Sequence, residues 1–564
     1  MRETLRLLAS PVRGLQATVY VLAVSALLSS LLALVRDRLF AHTFGAGLEL
    51  DLYYAAFRIP DLLFVLVGSL VSVYVLIPEL SRRSFAGQKE YLETVVLGFS
   101  VLSVSLSSLA ALLAPHILAA LFPQFGEHGL HDELTALTRI MLLQPILLGL
   151  SNILASVTQI RGRYVLYAVS PLLYNVGIIV GLLAFYPHFG IAGLAWGVVL
   201  GAALHLLVQL PSVVEEGFFH GLPRLREVSA LFETMMISIP RALTLSMNQL
   251  TSIGLTALAA SLSAGSIAVY VFGFNLMTVP LSVIGASYSV AAFPTLASAL
   301  SEGRVHEFIE YVATAARYIL FWSLPSIALV VVLRAHIVRV VLGSGSFDWT
   351  DTRLTAAVFA LLALSLAGQA LILLLTRAYY AAGRTFVPFW IAVISTIATL
   401  LLARKFMVAF SDTAVLNFFE RLLRVEDLTG STIVALPIAF SLVSLISALL
   451  LAAHFEWRYG GFFVRIKRTF AHGALAALGA AIASYTTLVV LGPLSLSSTL
   501  ASVFLRGFTG GIVGIAAAAL VYAILRNEEY EGTLSAVREK LWRTSLLQSQ
   551  PIASAEEIGS SSLQ

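Results

Sequence analysis

Fourteen hydrophobic segments, most of them nearly free of charge, run through this chain, and its first half recurs in its second at a shift of about 217 residues. His116-Ile117 returns as His336-Ile337 and Leu134-Thr135-Ala136 as Leu354-Thr355-Ala356, both 220 residues on. Pro78 pairs with Pro294 and Gly87 with Gly303 at a shift of 216, and the Glu90-Tyr91 and Glu93 pattern returns as Glu307-Phe308 and Glu310 at 217. Two parallel copies of a six-helix unit are one architecture of membrane transport, because a substrate can sit between lobes that rock. Transport is therefore the leading expectation before any motif is considered.

The segments fall at about 15–35, 52–80, 92–120, 134–158, 164–187, 190–214, 230–261, 266–298, 312–333, 354–376, 385–403, 432–454, 471–491 and 505–525. Gly14–Val35 holds 22 residues without a charge and Tyr164–Pro187 holds 24. A helix needs roughly 20 apolar residues to cross a bilayer core. With 59% hydrophobic and 12% charged residues, a soluble fold is excluded, and the ten-residue alternation of a membrane barrel is absent. The fold class expected is an all-α polytopic membrane protein with about 14 spans, two six-helix repeats and two extra C-terminal helices. The length of the first segment, and its lack of a small-residue cleavage site, favour a retained helix over a signal peptide.

The domains expected are a first lobe at 1–215, a linker at 216–229 containing Gly217–Pro223, a second lobe at 230–455, the two unrepeated helices at 456–526 and a polar tail at 527–564 that ends in Ser-rich Ser554–Gln564 and is expected to be disordered. The net charge of +4 needs no nucleic acid. Arg82, Arg83, Lys89, Arg161, Arg163, Arg224, Arg226, Arg304, Arg377, Arg384, Arg458 and Arg465 fall on one side, whereas the connections at 121–133, 187–190, 262–266 and 492–499 contain neither Lys nor Arg. That asymmetry places both termini in the cytoplasm. Arg36 and Arg38 fall beyond the first segment on the outer side. So does 404–430, where Leu416, Phe419, Leu422 and Leu423 mark one apolar face of a helix expected to lie on the membrane surface.

Phosphate-loop, zinc-protease and nucleophile-elbow motifs are missing, and cysteine is absent, so no enzyme chemistry, cofactor or metal site is expected. His116 and His336, at matching positions of the two repeats, suit interfacial capping. Charges inside membrane segments are costly and mark cavities or partners. Arg36 and Arg38, then Asp51, Arg58 and Asp61 around Pro60, then Arg241 after Pro240 with Asn248 and Gln249, and finally Asn275 near Pro280 are the candidates. Asp51 either pairs with Arg36 or Arg58 to hold two helices together or serves a substrate or gate, and Arg241 either lines a cavity or snorkels to the surface. No Asp or Glu occurs between Glu233 and Glu302, which argues against a carboxylate ion site there; a cationic cavity suits an anionic substrate.

The series Val35-Arg36-Asp37-Arg38-Leu39, Phe44-Gly45-Ala46-Gly47, Asp51 and Ala56-Phe57-Arg58-Ile59-Pro60-Asp61 resembles the MurJ/MviN lipid II flippases of the MOP exporter superfamily. Ala195-Trp196-Gly197, Gln209-Leu210-Pro211, Pro294-Thr295-Leu296 and Tyr379-Tyr380-Ala381-Ala382-Gly383-Arg384-Thr385 extend the resemblance over nearly the whole chain. It implies two lobes that pass an undecaprenyl-diphosphate-linked peptidoglycan precursor to the outer leaflet of the bacterial cytoplasmic membrane. The headgroup would cross a cationic cavity lined by Arg36, Asp51, Arg58 and Arg241, the lipid tail would stay in the bilayer, and cell-wall synthesis proteins would be possible partners. Ser30, Phe64 and Asn275 stand where better-studied flippases carry arginines, and Gly68-Ser69-Leu70-Val71-Ser72 replaces the family's Glu-Gly-Ala-Phe-Ser. Alternatives are a flippase for another polyprenyl-linked oligosaccharide, a MOP-type small-molecule antiporter, which predicts carboxylates in a lobe, or a scaffold that no longer transports.

Overall fold

The computed structural model describes residues 15–218, 224–410, 412–426, 428–492 and 499–547. Within them the chain forms helices and no strand, as a backbone in hydrocarbon must, since each N–H and C=O has to be paired within its own segment. The elements are α1 (Leu15–Phe44), α2 (Leu48–Ala56), α3 (Arg58–Gly68), α4 (Val73–Ser81), α5 (Phe85–Leu121), α6 (His131–Ile160), α7 (Tyr164–Phe189), α8 (Ile191–Glu215), α9 (Val228–Ala260), α10 (Ser266–Ser301), α11 (Val305–Val341), α12 (Trp349–Ala363), α13 (Leu366–Ala381), α14 (Phe386–Ala409), α15 (Thr413–Leu423), α16 (Ser431–Tyr459), α17 (Phe462–Leu491), α18 (Leu500–Ile524) and α19 (Glu528–Leu547). Eleven are single helices long and apolar enough to span, and α12–α13, bent by 44°, makes a twelfth. Helix α1 and the series α2–α4 occupy the first two of the fourteen expected segments.

Several expectations change on the structure. The second segment is broken, not continuous. Pro60 has no N–H to offer the Ala56 carbonyl, which breaks the backbone ladder near the α2–α3 junction, and the chain unwinds again at 69–72, where Ser72 is extended. Helix α1 continues to Phe44, so Arg36 and Arg38 are inside it, not beyond it. The polar tail expected to be disordered contains α19, docked through buried Glu529; Ser554–Gln564 and part of the linker, 219–223, lie outside the described residues. Helix α15 sets Leu416, Phe419 and Leu423 against the protein, but Leu422 is exposed. His336 is buried beneath Gly507 of α18, with Nδ1 unpartnered, whereas His116 is exposed. Neither sits as a matched interfacial cap, because α17 and α18 cover only the second copy.

Packing is closest where glycine faces glycine. A methyl group on Gly177 would lie 2.2 Å from the Gly201 Cα, and one on Gly197 2.5 Å from the Gly181 Cα, so α7 and α8 touch backbone to backbone. One large apolar cluster joins both halves of the chain at the end where α1 finishes, with Phe40, Tyr53, Phe272, Phe347 and Leu436 among its members. Away from that end the halves have separate cores, one around Tyr91, Phe99 and Leu154, the other around Phe308, Tyr379 and Phe455. The first turns of α9 belong to the former: Leu231 packs there, Tyr91 hydrogen-bonds Thr234 at 2.7 Å, and Glu227 pairs with Arg83. Further along, Thr251 of α9 bonds Thr396 of α14 at 2.9 Å.

Candidate functional site

Where the halves part, a cavity of about 990 Å³ opens between α1, α2, α3, α7, α9, α10, α13, α14 and α16. Seven of the nine residues singled out from sequence line it: Arg36, Arg58, Asp61, Arg241, Asn248, Gln249 and Asn275. Arg36 is turned toward its neighbour Asp37, 2.8 Å away, and donates to Asn175 of α7 at 3.0 Å. Asp37 in turn accepts from Asn275 of α10 at 2.9 Å, so this chain of polar contacts bridges the halves. Asn275, standing where an arginine was expected from the resemblance, is an amide that holds Asp37.

Arg58 is placed differently. The restart of the helix at Phe57 turns its side chain into the cavity, where Nη1 donates to the Ser252 hydroxyl of α9 at 2.7 Å. Its Nε has no hydrogen-bond partner, and no carboxylate lies within ion-pair distance among the described residues. Asp61, one turn on, also lines the cavity and accepts from Gln144 at 3.4 Å. Arg241 reaches Ser72 with Nη1 at 3.4 Å and lines the cavity, which favours that placement over snorkelling.

Two candidates lie elsewhere. Asp51 pairs with neither Arg36 nor Arg58. It is 3% exposed, and its two carboxylate oxygens accept the backbone N–H groups of Gly265 and Ala268, each at 2.7 Å, at the N-terminus of α10. That is the favoured end of a helix for a negative group. Arg38 donates to the carbonyl oxygens of Val340 and Val341 at the end of α11, at 2.6 and 3.2 Å. Both residues therefore fasten one half to the other at the closed end. There the backbones also meet: Asp351 accepts from the Ala46 N–H at 3.0 Å, and the Ser346 N–H donates to the His42 carbonyl at 2.9 Å. Gly265, at φ +85°, lies so close to Ala46 that an added methyl would fall 1.9 Å from its carbonyl oxygen.

Sequence reasoning missed Arg377, which it counted among the loop cations; α13 runs to Ala381, and Arg377 lines the cavity. The signal was present, because Gln369, Leu373, Thr376 and Tyr380 recur at helical spacing on that face. Tyr53, Tyr54, Tyr174 and Tyr270 also line the site, and nothing in the sequence separates them from other tyrosines. The result is a cavity with four guanidinium groups, one carboxylate and many uncharged polar groups. Such a site attracts anions and fits no carboxylate-based cation site.

A family model described as lipid II flippase MurJ matches residues 40–505. The lipid II flippase MurJ of Burkholderia cenocepacia is 28% identical over 380 residues, which are 65% of this chain and 73% of that protein. A probable lipid II flippase MurJ of Thermotoga maritima is 26% identical over 365 residues, 64% of this chain and 73% of that one. Among solved structures, a lipid II flippase MurJ in an inward closed conformation superposes with a TM-score of 0.70 at 20% identity, covering 90% of this chain and 99% of that chain. An inward-facing multidrug resistance MATE transporter of the MOP superfamily gives 0.59 at 14% identity, with 77% and 95% covered. These structural likenesses establish a shared helical fold.

Proposed function

Because this chain belongs to the lipid II flippase MurJ family, a family of transporters and not of catalysts, we propose that it carries lipid II from the inner to the outer leaflet of the bacterial cytoplasmic membrane. The lobes at 1–215 and 230–455 rock about the shared core, both termini face the cytoplasm, and the diphosphate enters the cavity while its polyprenyl tail stays in the bilayer. Arg58 is the observation that carries this reading: a cavity cation held by a hydroxyl and not a carboxylate, with Nε open to an acceptor. Arginine suits the task because its planar fork binds phosphate oxygens in pairs and keeps its charge when desolvated. Arg36 and Arg241 support it; Asp51 and Arg38 act as fasteners of the closed end. A small-molecule antiporter is disfavoured, since Asp61 is the sole carboxylate lining the cavity among the described residues. The test is complementation of a strain depleted of its lipid II flippase, with surface exposure of lipid II as readout. The wild-type chain restores exposure; Arg58→Glu and Arg241→Glu do not. Normal exposure with both variants at wild-type protein level would show that the arginines are structural.

A further inference from the structure

A pair of cations lies outside the cavity, on the flank of the second half at the closed end. Arg334 interrupts the apolar run of α11 and is half-buried, and its guanidinium donates to two carbonyl oxygens, Val331 at 2.7 Å and Leu423 at 3.3 Å. Arg424, which ends α15, is exposed and adopts the left-handed conformation at φ +60°. Its N–H donates to the Arg421 carbonyl and that of Val425 to the Glu420 carbonyl, the bonding of a helix end at which glycine is the usual residue. The Arg424 carbonyl is gripped by the Arg353 fork at 2.6 and 3.1 Å, and the Arg424 guanidinium reaches the Tyr485 hydroxyl of α17 at 3.5 Å. A strained backbone is thus held so that a cation, and not the less strained glycine, projects between α15 and α17.

The two guanidiniums are close enough to repel each other, and no carboxylate lies within ion-pair distance of either among the described residues. Glu420 is turned to Ser431 and Asp412 to the Ala414 N–H. None of Arg334, Arg424 and Tyr485 lines the cavity. Beside them Leu422 of α15 is exposed, as are Ile482, Tyr485 and Val489 at helical spacing along one face of α17. Tyr485 is six residues, about 9 Å, short of the end of α17, so the cations stand toward the rim of the bilayer and not at its centre.

We propose that Arg334 and Arg424 form a site for the phosphate of an anionic bilayer phospholipid in the leaflet at the closed end, with its acyl chains along the exposed face of α17. A phosphate between the guanidiniums relieves their repulsion, and arginine forks bind its oxygens in pairs. An amine-bearing headgroup would bring a third cation to a site without a carboxylate, so phosphatidylglycerol is preferred to phosphatidylethanolamine. The site is separate from the transport cavity and does not rest on the substrate assigned there.

Native mass spectrometry on the purified full chain measures the affinity for phosphatidylglycerol and phosphatidylethanolamine with the same acyl chains. Wild-type protein binds the former about tenfold more tightly, the scale of one charge-assisted hydrogen bond. Arg424→Gly removes the guanidinium while relieving the left-handed backbone, so its thermal midpoint is unchanged or raised and the preference is lost; Arg334→Gln loses the preference as well. The cavity variant Arg58→Gln keeps it. Equal affinity of the wild type for the two phospholipids, or a preference that survives in either Arg424→Gly or Arg334→Gln, overturns the site. Displacement of phosphatidylglycerol from the Arg58→Gln protein by equimolar polyprenyl diphosphate would give the site to the transported lipid and overturn the phospholipid assignment.

Discussion

Arg36 and Arg58 line the same cavity under different constraints. The Arg36 guanidinium is engaged on two sides, by Asp37 and by Asn175, so both the charge and the fork are in use before a ligand arrives. Arg58 has one hydroxyl partner. Lysine at position 58 keeps the charge and loses only the fork, and Arg58→Lys is expected to retain part of the transport rate. Arg58→Ala should lose about 1–3 kcal/mol of ligand binding, the worth of a hydrogen bond to a charged group. Surface exposure of lipid II reads the transport rate, and isothermal titration with a soluble diphosphate headgroup analogue the binding loss; equal affinity of wild type and Arg58→Ala would remove Arg58 from the site. Asp51 makes its contribution at the closed end. Asn retains one acceptor oxygen for two N–H donors, so Asp51→Asn should weaken the closed state by about 1–2 kcal/mol. The readout is disulfide formation between cysteines placed at Thr43 and Ser346, whose backbone and hydroxyl are 3.2 Å apart, and the yield should fall in the Asn variant. At this scale the sequence disclosed charge inside apolar helices, which found Arg36, Arg58 and Arg241. It could not disclose that Asp51 serves backbone amides, since main-chain donors carry no letter.

Helices were legible to within a turn where a charge-free run ended in polar residues, as for α7 and α8. Ends failed where a cation belongs inside the helix: α1 continues past Arg36 and α13 past Arg377, because each faces a cavity or a partner and not lipid. The break between α2 and α3 was marked by Pro60 but not its consequence, the aiming of Arg58. Interhelical contact can be tested at its tightest point. The α7–α8 pair has no room for a side chain at Gly197. Gly197→Leu must push the helices apart and should cost about 1–3 kcal/mol, the usual penalty of overpacking. A thermal melt in detergent reads it; an unchanged midpoint would mean that the helices are not in backbone contact.

For the whole molecule, the repeat announced two halves, and the structure shows what no repeat reveals: one common core at the closed end and two separate ones beyond it. The departure of His336 from its counterpart His116 follows from α17 and α18 lying against one copy only. Orientation rests on the Lys and Arg asymmetry. In this cysteine-free chain, a cysteine at Glu127 should react with an impermeant maleimide in intact cells, and one at Gln88 only after permeabilisation. Labelling of Gln88 from outside would reverse the direction of transport.

Helix α9 is anchored in the core of the first half by Leu231 and Thr234 and bonded to the second half at Thr251. Pro240 stands between these anchorages, and its missing N–H leaves the Met236 carbonyl without its usual partner, so the helix has one compliant joint along its length. A rod clamped to two bodies and weakened at one point acts as a flexure. A swing of the halves that parts Arg58 from Ser252 bends it there, stores the work elastically and returns it on the way back, so the stiffness of that joint bears on how far the halves travel and how evenly the two end positions are occupied.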